Sequence, residues 1–458
     1  MPKHFKTIPR VLLYACVMLA YIFFMNFYSP GGLGWHDYHA YRIFNSIEYL
    51  KLNSYFSDYG FSIWTSCHDC DLKVSTWREE IYLSQPALLH FWPYIVVNHL
   101  FGVDAVFFLG PIIDKLVVFF TAVLISELFV RYTCGVEVNN NPSSIQDFGS
   151  RFLPAWWLGT IVFTVYISSI WSYQMQRAMW NEIWFFFFFS LSISALLRRK
   201  FIFGCFFIFI AGLMHYLSGF VLAIVFLSFG IFSAVYREHS VFISFMAPAL
   251  HQYRRLWLYC LCALLPSLLY LALRALYESS PGYGGIGSSL LWRIGISGDD
   301  LHNGSIIGAL QFLGGIRVSQ CLSMLGTEGL QTASLVSKIA AFNCSLSVLG
   351  MVLLSSLSVL GAVWLLRARA PLRPLLLPVV MILIVTVALL QQSFSVHLLG
   401  HSYPFAIVFA CGLAGLCLKA AEVIRSRSLS LIVLTPAVVG CVLLSIRVSM
   451  LSSLPQLH

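Results

Sequence analysis

Apolar stretches of roughly 20 residues recur from one end of this chain to the other, and very few folds accept that pattern. Candidate spans lie at 11–28, 105–130, 152–171, 183–197, 201–216, 218–236, 256–277, 341–366, 374–393, 402–418 and 428–448, eleven in all. The segment 183–197 is short, and Met179 and Trp180 extend it. Hydrocarbon offers no partner to a backbone N–H or C=O, so each span must satisfy its own, as an α-helix does. Charge agrees: Asp, Glu, Lys and Arg make up 10% of the 458 residues, against about 25% in an ordinary soluble domain. The expected fold is an all-α polytopic membrane protein.

Loop charge orients the spans. With the N-terminus inside, the cytoplasmic ends collect Lys3, Lys6 and Arg10, then Arg131 and Arg151, then Arg198, Arg199 and Lys200. Arg237, Arg254 and Arg255, Arg367, Arg369 and Arg373, and finally Lys419, Arg425 and Arg427 follow on the same side, more than half of the 28 basic residues. The positive-inside rule is satisfied, with the N-terminus cytoplasmic and the C-terminus external. Counting 86–101 as a span would invert everything after it. That stretch also carries His90, Pro93, Asn98 and His99, so it reads as an interfacial helix. Two long segments fall outside, 29–104 and 278–340, the second opening Ser280-Pro-Gly-Tyr-Gly-Gly-Ile-Gly. Residues 1–458 read as a single membrane domain with these two elaborated outer loops. Val11–Tyr28 lacks a small-residue cleavage site and runs into Ser29-Pro30-Gly31-Gly32, so it reads as a retained span. The net charge of +9 is topology charge, and no nucleic-acid partner is expected.

Chemistry-bearing residues gather on the outer side. Gly34-Trp-His-Asp-Tyr-His-Ala-Tyr-Arg42 follows the first span and sets Asp37 between His36 and His39, with Tyr41 and Arg42 nearby. A carboxylate beside imidazoles can act as a general base or bind a cation; the plainer alternative is a solvated loop acid. Gln176-Arg-Ala-Met-Trp-Asn-Glu182 opens the fourth span. Glu182 there either lines a polar cavity or complements the helix dipole. His215 and Tyr216 end the fifth span, and His401 and Tyr403 precede the tenth, where interfacial anchoring is the simpler reading. One outward-facing polar cavity accounts for all four groups. Asp114 and Lys115 fall inside the second span, on different helix faces. Lys115 could reach a phosphate or snorkel, and Arg274 and Arg447 have the same two readings.

Most of the 12 cysteines lie in apolar segments and read as small hydrophobes. Cys67 and Cys70, in CHDC, suit a disulfide or two free thiols better than a zinc site, which usually needs four ligands. No metal site and no cofactor are expected, although a divalent cation is compatible with the outer carboxylates. The sequons at Asn303 and Asn343 are weak signals.

The order of these features resembles the GT-C superfamily of polyprenyl-phosphate-sugar-dependent glycosyltransferases. The likeness is to the branch of protein O-mannosyltransferases and the lipid A aminoarabinose transferase. Asp37 and Tyr41 keep that branch's Asp-x-x-x-Tyr spacing, with Tyr38 at its usual Glu position. Gln85-Pro-Ala-Leu-Leu-His-Phe-Trp92, running on to Leu100-Phe-Gly102, is similar to its Pro-Pro-Leu-Leu-Tyr-Trp…Leu-Phe-Gly stretch on the outer surface. Arg177 and Glu182 match its Arg and second acid. The likeness covers roughly residues 10–235. It departs at Gln85, where the aminoarabinose branch has Lys, and at Ala40, where the opening motif has Arg.

The resemblance implies an inverting transfer from a polyprenyl- or dolichyl-phosphate sugar to an acceptor hydroxyl on a glycan, lipid or protein. Asp37 would be the base and Glu182 would orient the acceptor. Arg177, Arg42, His215 and His401 would face the phosphate, with His36, His39, Tyr41, Tyr216 and Tyr403 around donor and acceptor. The membrane would be the plasma membrane of a bacterium or the endoplasmic reticulum of a eukaryote. Three other readings stay open, one of them a non-catalytic assembly subunit built on a GT-C scaffold, in which Asp37 would be dispensable. An O-antigen polymerase or ligase would use the late outer loop, with Arg293, Asp299, Asp300, His302 and Arg317. A transporter or flippase would need repeated halves and mid-membrane charges, and only Asp114 and Lys115 point that way.

Overall fold

A computed structural model describes residues 8–28, 45–51, 91–133, 152–177, 181–215, 219, 222–224, 226–227, 253–278, 313–314, 321, 334–368, 372–389 and 403–452. Among the described residues every regular element is a helix. In chain order these are α1 (Ile8–Tyr28), α2 (Trp92–Phe101), α3 (Val103–Thr133), α4 (Ala155–Ser168), α5 (Ile170–Arg177) and α6 (Asn181–Leu197). There follow α7 (Phe201–Met214), α8 (Tyr253–Glu278), α9 (Leu335–Ala368), α10 (Arg373–Leu389), α11 (Pro404–Ile424) and α12 (Arg427–Ser452). Residues 45–51 form a further short helical stretch.

Five helices are long and apolar enough to cross a membrane: α3, Arg254–Leu276 of α8, α9, α11, and Arg427–Leu451 of α12. Four more apolar helices are shorter: Pro9–Met25 of α1, α4, Ile183–Leu197 of α6, and α7. Their side chains are sorted opposite to those of a water-soluble fold. Along α3, Phe108, Ile112, Leu116 and Phe120 are exposed at i,i+4 spacing. Along α9, Phe342, Leu346, Leu349, Leu353 and Leu357 are exposed, while Ala341, Cys344, Ser347, Ser355 and Ser358 are buried. Water would reverse that choice. Lipid tails accept large apolar surfaces, and small residues let helix backbones approach each other. The buried hydroxyls are satisfied locally: Ser347 donates to the Asn343 carbonyl at 2.8 Å and Ser358 to Leu354 at 2.9 Å. The chain is an all-α membrane protein.

The chain packs as two compact units, one drawn from Met1–Gly32, Ala122–Gln174 and Asp300–His458, the other from Leu33–Thr121 and Met175–Asp299. In the first unit, α9 and α11 touch backbone to backbone: a Cβ on Gly361 would strike the Gly412 carbonyl, and one on Gly412 the Ser358 carbonyl. Arg10 on α1 clamps Glu127 on α3 with two charged hydrogen bonds, Nε to Oε1 at 2.8 Å and Nη2 to Oε2 at 2.6 Å. The Tyr14 hydroxyl adds a third at 3.3 Å.

The span expected at 152–171 is broken. Ser169 is extended, at φ −64 and ψ 143, and separates α4 from α5. Its hydroxyl donates back to the Tyr166 carbonyl at 2.9 Å and accepts the Ser172 N–H at 3.2 Å, closing one helix and capping the next. Helix α12 supports both ends of α4, because Ser445 donates to the Ser168 carbonyl and Trp157 donates to Thr435, each at 3.0 Å. Cys321 and Cys344 are joined in a disulfide. Cys321 falls in the long segment 278–340 between Gln320 and Leu322, and Cys344 between Asn343 and Ser345 at the start of an apolar run, so nothing in the sequence pairs them.

In the second unit, α6 and α7 form a tight pair around the Arg198-Arg199-Lys200 turn, where Arg199 takes φ +61. Ser192 donates to the Gly204 carbonyl at 2.7 Å and pairs with the Tyr259 hydroxyl of α8 at 2.8 Å. Pro266 of α8 packs onto Gly212 of α7.

Candidate functional site

The site is built in the second unit around α2. This helix has 10 residues, starts with Pro93 in its first turn and ends at Gly102. At 1.5 Å per residue it spans about 15 Å, half the thickness of a hydrocarbon core. Gly102 takes φ +87, a conformation that side chains with a Cβ disfavour, and so the chain turns there before α3 begins. The buried face of α2 is Pro93, Tyr94, Ile95 and Asn98.

That face carries two polar groups one helical turn apart, and each meets a carboxylate. The Tyr94 hydroxyl donates to Asp114 Oδ1 of α3. Asn98 Nδ2 donates to Glu48 Oε1 at 2.8 Å, and Lys51 Nζ lies 3.7 Å from the same oxygen. Asp114 is fully buried. Lys115 lies only half-buried, as the angular step of about 100° between adjacent helical residues requires. A third helix joins through Trp184, whose indole Nε1 donates to the Tyr94 oxygen at 3.4 Å. The Trp92 and Trp184 rings lie 6.1 Å apart.

The chain of hydrogen bonds has one direction. An indole N–H only donates, so the Tyr94 oxygen accepts from Trp184 and its proton goes to Asp114. Burial, reinforced by the Asp114 carboxylate, holds the Tyr94 phenol well above its usual pKa. Tyr94 therefore stays a donor across the physiological range.

His215 caps the C-terminal end of α7 with φ −146 and ψ 91, its backbone N–H bonded to the Ala211 carbonyl. Its ring is buried, edge-on to Phe185 at 6.2 Å. Phe185 follows Trp184, so neighbouring residues near the start of α6 reach Tyr94 and His215. Glu182 is the second residue of α6, and Arg177 is the last of α5; their side chains lie outside the described residues. Asp37, His36, His39, Tyr41, Arg42, Tyr216 and His401 also lie outside them, as do Cys67, Cys70, Arg293, Asp299, Asp300, His302 and Arg317.

Tyr403 belongs to the first unit. It precedes α11, is fully buried, and its hydroxyl pairs with that of Tyr166, ring against ring edge-on at 6.1 Å. Arg274 turns inward and donates to the Tyr270 hydroxyl at 3.1 Å, whereas Arg447 is exposed. Among the described residues no three His, Cys, Asp or Glu side chains converge as a metal site would require.

Sequence reasoning singled out Asp114 and His215 but not Tyr94, Asn98 or Trp184. The available signal was the i,i+4 spacing of Tyr94 and Asn98 on an otherwise apolar helix. No protein-family model, curated protein or solved structure matches the chain.

Proposed function

We propose that this protein is a membrane glycosyltransferase of the GT-C type, moving a sugar from a polyprenyl or dolichyl phosphate to an acceptor hydroxyl on the outer face. One observation carries the reading. The short helix α2 lies in one stretch of the resemblance and the start of α6 in another, and the Trp184–Tyr94–Asp114 chain ties them together. A non-spanning helix held by a buried carboxylate and an indole suits the rim of an outward-facing cavity better than a purely structural loop.

In this reading the chain crosses the membrane eleven times from a cytoplasmic N-terminus to an external C-terminus. The disulfide supports that orientation. Disulfides persist on an oxidising face, and Cys344 lies towards the N-terminal end of α9, opposite Arg367 in its last turn.

The chemistry is a single displacement. Asp37 takes the proton of the acceptor hydroxyl as its oxygen bonds to the anomeric carbon. The bond from that carbon to the phosphate oxygen breaks, and the electron pair leaves with the lipid phosphate. Arg177, Arg42, His215 and His401 face the developing charge, and Glu182 orients the acceptor. Trp35, Tyr38 and Tyr41 stack on the sugar. The donor's lipid tail lies between spans, and the reaction needs no nucleotide sugar. The acceptor is a glycan, lipid or protein, and the membrane is a bacterial plasma membrane or the endoplasmic reticulum.

The test is transfer of a labelled sugar from polyprenyl phosphate by the purified protein, comparing wild type with Asp37→Asn and Glu182→Gln. Loss of about 10²-fold or more in Asp37→Asn is expected for a general base, and full activity there sinks the assignment. One observation favours a second reading: a fully buried Asp114 within a helix able to cross the membrane is the kind of residue that transporters use. Substrate flux into proteoliposomes without transfer would select it.

A further inference from the structure

We infer that the shared end of α6, α7 and α8 is a binding site for an anionic phospholipid of the surrounding membrane. The site starts from a charge imbalance. Between residues 183 and 255 Glu238 is the sole acid, against Arg198, Arg199, Lys200, Arg237, Arg254 and Arg255. Arg198, Arg199 and Lys200 form the exposed turn between α6 and α7, and Arg254 and Arg255, also exposed, open α8. Folding brings the two groups together: the Arg255 guanidinium lies 5.8 Å over the Phe201 ring, and Phe201 follows Lys200. Among the described residues no acid pairs with Arg198, Arg199, Lys200 or Arg254. The ion pairs lie elsewhere, at Arg10–Glu127, Lys51–Glu48 and Lys419–Glu422.

The turn holds its cations against backbone preference. The Lys200 N–H bonds to the Ala195 carbonyl at 2.8 Å and the Arg199 N–H to that of Leu196 at 2.9 Å, closing α6 in a Schellman turn. The left-handed position of such a turn usually holds Gly, and here it is Arg199 at φ +61. Helix α7 then starts from Lys200 with no side-chain cap. Helices α7 and α8 run side by side in the same direction, since Arg255 meets Phe201 and, further along both, Pro266 meets Gly212. Both therefore turn the positive ends of their dipoles to this place, where anions bind. Positive-inside sorting explains why Lys and Arg lie at such an end. It does not require a turn, a second helix start and two dipole ends to converge without an acid. The occupant follows from what lies next to the cations. Ile202 and Phe206 of α7, and Trp257 and Leu261 of α8, are exposed at i,i+4 spacing within two turns of them. Acyl chains cover such surfaces while the phosphate of their headgroup meets the cations beside them. A soluble anion would use the cations alone. In the orientation proposed above, the lipid belongs to the cytoplasmic leaflet.

The experiment is native mass spectrometry of the full chain in detergent, titrated with phosphatidylglycerol or with phosphatidylcholine of the same acyl chains. Wild type should bind phosphatidylglycerol about tenfold tighter or more. Each basic residue at an anionic surface contributes about fivefold in affinity. Arg199→Gln combined with Arg254→Gln should therefore lose about 25-fold for phosphatidylglycerol and little for phosphatidylcholine. Arg425→Gln combined with Arg427→Gln is the matched control in the first unit. It removes as much exposed charge and also includes a left-handed arginine, Arg425 at φ +57, yet it should keep wild-type affinity. Arg199→Gly separates binding from folding. Glycine suits the left-handed position, so this variant should melt at or above wild type in lipid-free detergent while losing about fivefold in phosphatidylglycerol affinity. Glycerol phosphate, the headgroup chemistry without chains, should not displace the lipid at millimolar concentration. Equal affinity of wild type for the two lipids overturns the proposal, as does a control pair that loses as much as the first. Full binding by Arg199→Gly also overturns it. Displacement by glycerol phosphate would leave a soluble-anion site in place of a lipid site.

Discussion

Gly412→Ala tests whether the α9–α11 seam depends on backbone contact. An added Cβ would strike the Ser358 carbonyl oxygen and sit 2.7 Å from its carbon and 3.2 Å from the Ala362 nitrogen. Ordinary contact begins at 3.4 Å, so the seam must open by at least the difference from 2.7 Å, namely 0.7 Å. Neither partner is a side-chain tip that can swing away, and the whole seam must give. Overpacking of this kind costs about 1–3 kcal/mol. A Gly-to-Ala change also removes freedom from the unfolded chain, worth about 0.4–1 kcal/mol in the other direction. The net loss therefore falls between about 0 and 2.6 kcal/mol, and a clash with a backbone carbonyl that cannot swing aside puts it in the upper part of that range. Gly440 on α12 is the internal control, because its Cβ would meet nothing within 4 Å. Gly440→Ala should match or exceed wild type. Thermal unfolding in detergent, followed by fluorescence-detected size exclusion, reads both variants. With shifts of a few degrees per kcal/mol, Gly412→Ala should melt clearly below wild type. The reasoning is refuted if Gly412→Ala melts at or above wild type, or if Gly440→Ala falls as far.

Two further outcomes follow from the first unit. Glu127→Gln removes the charge that Arg10 grips with two hydrogen bonds; both side chains are partly exposed, which tempers the loss to about 1–2 kcal/mol, and the same melting assay reads it. Cys321 and Cys344 should resist maleimide labelling until the protein is denatured and reduced, and a non-reduced digest should contain the linked peptide; labelling of either in the denatured, unreduced protein would remove the bond and its support for the orientation.

The apolar runs predict the long helices well, because twenty consecutive apolar residues leave little choice but a spanning helix. Expected spans at 105–130, 256–277, 341–366, 402–418 and 428–448 all fall on the five long apolar helices. The break at Ser169 was not legible. Two serines barely change the hydropathy of 152–171, and the interruption depends on how the Ser169 hydroxyl spends its hydrogen bonds. The Cys321–Cys344 bond was hidden for a related reason: 23 residues separate the partners, and neither stands in a motif that names the other. Asp114 announced itself as an expensive group in a span, but its partners did not. Tyr94 and Trp184 are ordinary residues of aromatic-rich segments, and only their convergence across 90 residues of sequence makes them a unit. Tyr403 stood out as part of an outward polar group, and Tyr166, its partner, lay unnoticed inside an apolar run.

The support that α12 gives to α4 has a consequence for how the chain is made. Ser168 is synthesised 277 residues before Ser445, and Trp157 278 residues before Thr435. At ribosomal speeds of about 5–20 residues per second, that gap lasts on the order of tens of seconds. Throughout it the freed carbonyl at the end of α4 waits without its eventual partner. The first unit therefore cannot finish during synthesis in the order of its sequence. Its early helices wait for α12 to complete these two contacts.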